Sequence, residues 1–190
     1  TIRTAGFDPM IVHSMNSAAT ETCDDPSVTM VRPGLSLYGV NPRDAHDNEL
    51  LPALAWQTSV IHLKSIPADT PVSYGGHWVA RRPSRIATLP VGYADGYPRS
   101  LGGRSCVLIR GQRAPVVGSV CMDLIMVDVT DVPGAALGDA VVLLGAQGTA
   151  SIGAHELASL ADTIPYEILT GVQARVPRSY CGSNATDAAA

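Results

Sequence analysis

Two tyrosines sit in glycine-bearing turns on either side of one apolar run. Tyr74 lies in Ser-Tyr-Gly-Gly, Tyr93 in Gly-Tyr-Ala-Asp-Gly, and residues 85–91 separate them. Glycine takes backbone angles that a side chain forbids, so such turns can aim a neighbouring phenol out of a strand ladder. A phenol has a reference pKa of about 10, and it acts as a base near neutrality only beside positive charge or donors to its anion. Read singly, either tyrosine is a half-buried barrel aromatic whose hydroxyl finds a partner. They are accompanied by further compact motifs: His13-Ser-Met-Asn16-Ser17, Arg32-Pro-Gly34, Cys121-Met122-Asp123 and Pro165-Tyr166-Glu167. Any lysine chemistry must use Lys64 or come from elsewhere, because the other twelve basic residues are arginines.

The elements that must position these groups fall into two kinds. Residues 10–17 and 29–38 each read as a short apolar strand with polar groups near its carboxyl end, where parallel α/β barrels build their sites. Residues 41–53 are polar, proline-bearing and without helical period, so they read as a linker, with a domain boundary near residue 50. Beyond it the composition turns to strands and turns: residues 55–66, 85–91, 106–110, 114–130 and 140–144. In 116–129 both alternating faces are apolar, which suits a strand buried on two sides, interrupted at Met122 and Asp123. A helix is expected over 151–162 and another from Pro165, with a return to strand at 175–180. The predicted fold class is mainly β: residues 50–184 form a β-barrel or β-sandwich domain, preceded in 1–49 by the last strands of an incomplete α/β barrel. Residues 185–190 read as a disordered tail.

Composition narrows the function. The chain has 190 residues, 46% of them hydrophobic and 16% charged, with net charge −4 and no basic run beyond Arg81-Arg82. Neither a nucleic-acid partner nor a membrane surface has electrostatic support. Four dispersed cysteines without a Cys-x-x-Cys pair, and five histidines without ligand spacing, argue against structural metal and fit a reducing compartment. No apolar run approaches a membrane span, and residues 1–10 lack the pattern of a secretory leader, so a cytoplasmic protein is expected.

Taken together and in order, the motifs over residues 10–182 closely resemble the carboxyl-terminal portion of alanine racemase. The resemblance implies an enzyme that interconverts L- and D-alanine with pyridoxal 5'-phosphate, built from an amino-terminal α/β barrel and a carboxyl-terminal β-domain. It implies a homodimer in which each active site is completed by the partner subunit. Proton removal on one face of a planar adduct and return on the other needs two bases. By resemblance Tyr74 is one of them, and the other is a Schiff-base lysine near the start of the full enzyme. Lys64 does not match that lysine and reads as an exposed strand residue, so the chain alone is expected to be inactive. The resemblance further assigns Ser17, the Gly34 amide and Tyr166 to the cofactor phosphate and Arg32 to its ring nitrogen. An arginine there leaves that nitrogen unprotonated and weakens the electron sink. His13 is a candidate for the network around the Tyr74 phenol and is counted with the cofactor-binding groups, while by resemblance Tyr93 and the Met122 amide line the substrate carboxylate side.

Other readings remain at this point. The lining residues do not exclude a racemase of broader amino-acid specificity. A non-catalytic β-domain retained for dimerisation or binding would need no lysine, and a hydrolase using Asp95 and Asp123 as a carboxylate pair is chemically conceivable.

Overall fold

The computed structural model describes residues 3–43 and 50–181. The expected tail at 185–190 and part of the expected linker lie outside them. In the first segment, β1 (His13–Ser14) pairs in parallel with β2 (Met30–Val31), His13 opposite Met30. The short helix α1 (Ser17–Thr20) joins them, with the Asn16 side chain accepting from the Ala19 amide as its cap. These are the parallel strands expected from 10–17 and 29–38.

The second segment is built on an eight-stranded sheet. Its strands are β3 (Trp56–Ser59), β4 (His62–Ile66), β7 (Ser84–Leu89), β8 (Cys106–Ile109), β9 (Gln112–Val117), β10 (Ile125–Asp128), β11 (Ala140–Gln147) and β12 (Ala150–Ile152). A separate hairpin, β5 (Pro71–Val72) with β6 (Trp78–Val79), rises between β4 and β7. All pairings in the large sheet are antiparallel, in the order β12-β11-β8-β9-β10-β7-β4, and β3 pairs back onto β11. Strands β3 and β4 are nearly continuous in sequence, so the ladder returns to its start and the sheet closes into a barrel. The change of neighbour falls at Val60 and Ile61: the Val60 amide donates to Asp139 and the Ile61 amide to Thr88. Residues 55–66, expected as one strand, are therefore one bent ribbon that switches partners and links the β4 end of the ladder back to β11, leaving β12 as a short edge strand.

Burial explains why these strands are so uniformly apolar. Val107, Leu108 and Ile109 are fully buried, as are Leu89, Ile125 and Val127, and Leu157 and Ala158 of α2 (Ala154–Ala161) join the same core cluster. A second, smaller cluster of Ile66, Val72, Ala80, Ile86 and Val117 seats the β5–β6 hairpin on the sheet.

Three expectations need correction. Residues 114–130 are two antiparallel strands, β9 and β10, because Gly118 turns the chain at φ 72° and the loop carrying Met122 and Asp123 forms their connection. The first residues of the expected 151–162 helix pair with β11 instead, and the helix starts after Gly153. Residues 175–180 form no strand. Pro177 lacks an amide donor, and the Arg178 guanidinium donates to the carbonyls of Val172, Gln173 and Val176, which folds the segment back on itself. The helix α3 (Pro165–Gly171) follows α2 as expected, with proline in its first turn.

Tyr97 is the largest fully buried side chain, edge-on to Trp56 at 6.1 Å between ring centroids. The Ser105 hydroxyl donates to the Leu101 carbonyl, so the Tyr97 hydroxyl is the donor in its 2.9 Å bond to Ser105. Burial pushes the Tyr97 phenol up to about 12, against 10.0 ordinarily. Stability drawn from the buried neutral phenol is whole below about pH 10 and is lost as pH rises towards 12. Tyr97→Phe should cost about 1 kcal/mol at neutral pH through the lost hydrogen bond. It should also flatten the fall of the urea midpoint between pH 10 and 12. An unchanged alkaline slope would show that Tyr97 is not the group that titrates there.

Candidate active site

The predicted site residues occupy two places. Ser17 is the first residue of α1 and is buried, and its Oγ accepts the Gly34 amide at 2.9 Å and the Ser36 amide at 3.2 Å. Ser17 is thus not the helix cap that its position suggests; Asn16 is. Gly34 precedes the 3-10 turn Leu35–Tyr38, and a Cβ added there would meet open space. Arg32 follows β2 and His13 lies in β1, both exposed. Among the described residues neither side chain has a hydrogen-bond partner.

Tyr74, Tyr93 and Met122 are on the barrel and converge on the β9–β10 connection. Tyr74 opens the turn Tyr74–Gly76 at the tip of the β5–β6 hairpin and is 77% exposed. The residue before it, Ser73, has φ 67° and ψ 177°. That region is essentially reserved for glycine, and occupying it costs about 1–3 kcal/mol. The Ser73 hydroxyl donates to the Ser119 carbonyl at 2.8 Å, and the Ser119 hydroxyl donates to the Tyr74 carbonyl at 3.1 Å. At about 0.5–1.5 kcal/mol each, these two bonds are of the size needed to offset the strain. Gly118 makes the approach feasible, since a Cβ there would lie 2.7 Å from both the Ser73 Cβ and the Val72 carbonyl oxygen.

Tyr93 opens the turn Tyr93–Asp95. Its amide donates to the Cys121 carbonyl and the Ala94 amide to the Met122 carbonyl, each at 3.0 Å. Gly92 allows this crossing, because a Cβ there would stand 2.2 Å from the Cys121 oxygen. Asp95 is buried. One of its oxygens accepts the Gly92 amide at 2.8 Å and the other the Arg175 Nε at 2.7 Å. The same guanidinium donates to Asp123. Both carboxylates therefore serve the scaffold, which leaves no pair for the hydrolytic reading. Sequence reasoning places Ser73 in the Ser-Tyr-Gly-Gly motif without a role of its own and misses Arg175 and Ser119 as scaffold groups.

Tyr166 is the second residue of α3, 38% exposed, and the Gly171 end of that helix abuts the Gly92–Gly96 turn. A groove of about 700 Å³ runs beside the Tyr74 turn, lined by His77, Trp78, Arg99 and Ser119 among others, with none of the predicted site residues in its wall. No hydrogen bond among the described residues joins Ser17, Arg32 or Gly34 to Tyr74, Tyr93 or Met122. Lys64 is an exposed residue of β4 opposite Ile86.

A division of labour runs through the site. The scaffold groups Ser73, Ser119, Asp95, Asp123 and Arg175 are all engaged. The hydroxyls of Tyr74, Tyr93 and Tyr166, the Met122 amide and the Arg32 guanidinium have no acceptor among the described residues, and Ser17 retains its own O–H to donate. The outward donors are exposed and stand on turns whose backbone the engaged groups fix, an arrangement that a ligand-facing surface can use.

Comparison with known proteins adds to this geometry. The family described as the alanine racemase C-terminal domain matches residues 53–180, and the alanine racemase N-terminal domain matches residues 1–42. Alanine racemase of Halothermothrix orenii is 53% identical over 176 residues, spanning 92% of this chain and 46% of the relative. That of Symbiobacterium thermophilum is 49% identical, spanning 95% and 48%. The crystal structure of Bacillus anthracis alanine racemase with bound L-Ala-P superposes with a TM-score of 0.85 at 38% identity, over 96% of this chain and 47% of that one. The Bartonella henselae enzyme with covalently bound pyridoxal phosphate gives 0.84 at 35%, over 94% and 49%. The chain thus spans about half the length of the relatives it matches.

Arg175 tests the scaffold directly. Arg175→Ala leaves the buried Asp95 carboxylate with one donor, whereas Asp123→Asn removes charge only at an exposed arm. Arg175→Ala should therefore lower the urea midpoint more than Asp123→Asn, and speed amide exchange at Tyr93 and Ala94. The reverse order would locate the stabilisation in the exposed pair.

Proposed function

The chain belongs to the alanine racemase family, and on that premise we propose that it is the carboxyl-terminal portion of an enzyme interconverting L- and D-alanine with pyridoxal 5'-phosphate. The observation that carries this reading is the exposed Tyr74 phenol, held on a strained and doubly anchored turn beside Tyr93 and Met122. The family membership and the L-Ala-P and pyridoxal phosphate held by the similar crystal structures support it.

The donor set suits a phosphorylated, anionic cofactor. The Gly34 and Ser36 amides polarise the Ser17 oxygen, which strengthens the Ser17 O–H as a donor to a phosphate oxygen. Open space beside Gly34 leaves room for the phosphate, while the Gly34 amide, committed to the Ser17 oxygen, would act through that hydroxyl, and the Tyr166 hydroxyl would be a further donor. Arg32 would hold the ring nitrogen in its unprotonated state, since a guanidinium keeps its protons. His13, on the strand paired with β2, would help orient that end of the site. When bound, the cofactor supplies the electron sink that acidifies the substrate α-carbon.

Tyr74 would take or return the α-proton on one face, and a lysine outside this chain would serve the other. Tyr93 and the Met122 amide would receive the substrate carboxylate, with the Met122 side chain walling the space against groups larger than methyl. We read residues 1–49 as the end of the barrel and 50–184 as the β-domain, a division that the two family matches support. Because the Ser17 group and the Tyr74 group are not hydrogen-bonded within one chain, a homodimer that brings one chain's Ser17 group to its partner's Tyr74 group accounts for both. Alone, without the cofactor-bearing lysine, the chain would be inactive. In the cytoplasm the complete enzyme would supply D-alanine for cell-wall peptidoglycan or serve alanine catabolism.

The test uses this chain assembled with an amino-terminal barrel portion that carries the lysine. Tyr74→Phe should slow α-deuterium loss to solvent from one alanine enantiomer by about 10²- to 10⁴-fold, the usual contribution of a general base. Exchange from the other enantiomer should persist. Equal loss from both would remove the two-base assignment, and equal turnover of serine, lysine or arginine would favour a broad-specificity racemase.

A further inference from the structure

We propose that Ser73 is a positioning residue for Tyr74, and that its contact with Ser119 aims the phenol along the axis that proton transfer needs. The inference rests on the reading of Tyr74 as a base. Ser73 holds φ 67° and ψ 177°, a conformation a non-glycine residue keeps only where its surroundings over-determine it. Three contacts do so here. The Ser73 hydroxyl is tied to the Ser119 carbonyl at 2.8 Å, the Ser119 hydroxyl to the Tyr74 carbonyl at 3.1 Å, and Gly118 opens the space in which both chains meet. The Cys121 thiol lies 3.5 Å from the Ser73 Oγ and closes the fourth side. Tyr74 itself is 77% exposed and has no side-chain partner among the described residues. Within this chain its direction is therefore set by the backbone on which it stands, and that backbone is set by Ser73.

A glycine at 73 would adopt the same angles without strain but would also leave them freely, while an alanine would keep the strain and lose the tether. The two substitutions thus act unequally on fold stability and alike on the phenol. In the assembled enzyme, Ser73→Ala should lower the thermal midpoint and Ser73→Gly should lower it less or raise it. Both should slow α-deuterium loss from the enantiomer that Tyr74→Phe affects by about 10- to 100-fold, the scale of an ångström of misplacement. Pyridoxal phosphate affinity should stay within about two-fold, because Ser17 and Gly34 lie on the other segment. In the cofactor-free protein, amide exchange at Gly76, whose N–H donates to the Ser73 carbonyl at 3.3 Å, should quicken in both variants.

Adding Ser73→Ala to Tyr74→Phe should cause no further loss of exchange from that enantiomer. Additive losses, equal slowing from both enantiomers, or unaltered amide exchange at Gly76 would overturn the proposal. If Tyr74→Phe itself shows no preference between enantiomers, the base assignment fails first, and amide exchange then still reports whether Ser73 holds the turn.

Discussion

Three backbone carbonyls, those of Ser119, Cys121 and Met122, hold the site face of this barrel together. They accept from the Ser73 hydroxyl and from the amides of Tyr93 and Ala94, so both tyrosine-bearing turns are registered against one loop. A carbonyl is a good datum for such a purpose. Its position follows from the backbone alone, and anchoring to it adds no side-chain entropy cost on the acceptor's side. The loop inherits its own position from the β9–β10 pairing, where Met126 faces Val117 and Val127 faces Val116. A one-residue slip in that register would exchange the buried and exposed faces of β10, moving Ile125 and Val127 outward, so hydrophobic burial fixes the loop that fixes the tyrosines.

Closure of the sheet makes that register dependable. An open sheet frays at its edges, whereas here the bent β3–β4 ribbon pairs with β11 on one side and β7 on the other. From β7 the order passes through β10 to β9, so the Met122 loop and the Tyr93 turn leave adjacent strands at the same end. The carboxyl-terminal segment then locks the arrangement from outside. Arg175 reaches Asp95 under the Tyr93 turn and Asp123 beyond Met122, and the Gln173 amide donates to the Asp95 carbonyl at 3.0 Å. Asp95 is buried with both oxygens satisfied, and this is why an aspartate in a Gly-Tyr-Ala-Asp-Gly turn is structural here rather than reactive.

The mainly β class and the approximate strands were legible because long apolar runs bounded by turn residues have few other fates. The parallel pair β1–β2 was legible for the same reason. Where the reading failed, a tertiary contact had overridden a local pattern. Residues 114–130 are largely apolar, and periodicity cannot reveal a reversal that depends on Gly118 meeting Ser73, forty-five positions earlier. Residues 175–180 look like a strand because valine and tyrosine favour strands, yet Arg175 and Arg178 turn their guanidinium groups on Asp95, Asp123 and nearby carbonyls. The site residues themselves were visible only as short motifs with a family resemblance. What could not be read was which groups hold and which face outward, since Asp95 and Tyr93 stand in one pentapeptide and have opposite roles.

That contrast bears on how such a surface persists. Tyr74 is 77% exposed, Met122 53% and Tyr93 43%, and on the other segment Met10 is 90%, Phe7 68% and Leu37 69% exposed. Large apolar side chains left on ordered turns contribute little to the stability of a lone chain, and their ordering carries an entropy cost that folding of the barrel must offset. The engaged scaffold groups meet that demand locally, so the outward groups are free to be chosen for what they touch rather than for what they stabilise. On the proposed reading, assembly brings the unpaired donors of one segment to face the exposed phenols of the other. The affinity of that encounter then comes from surface that the single chain leaves uncovered, and its geometry from turns that were rigid beforehand.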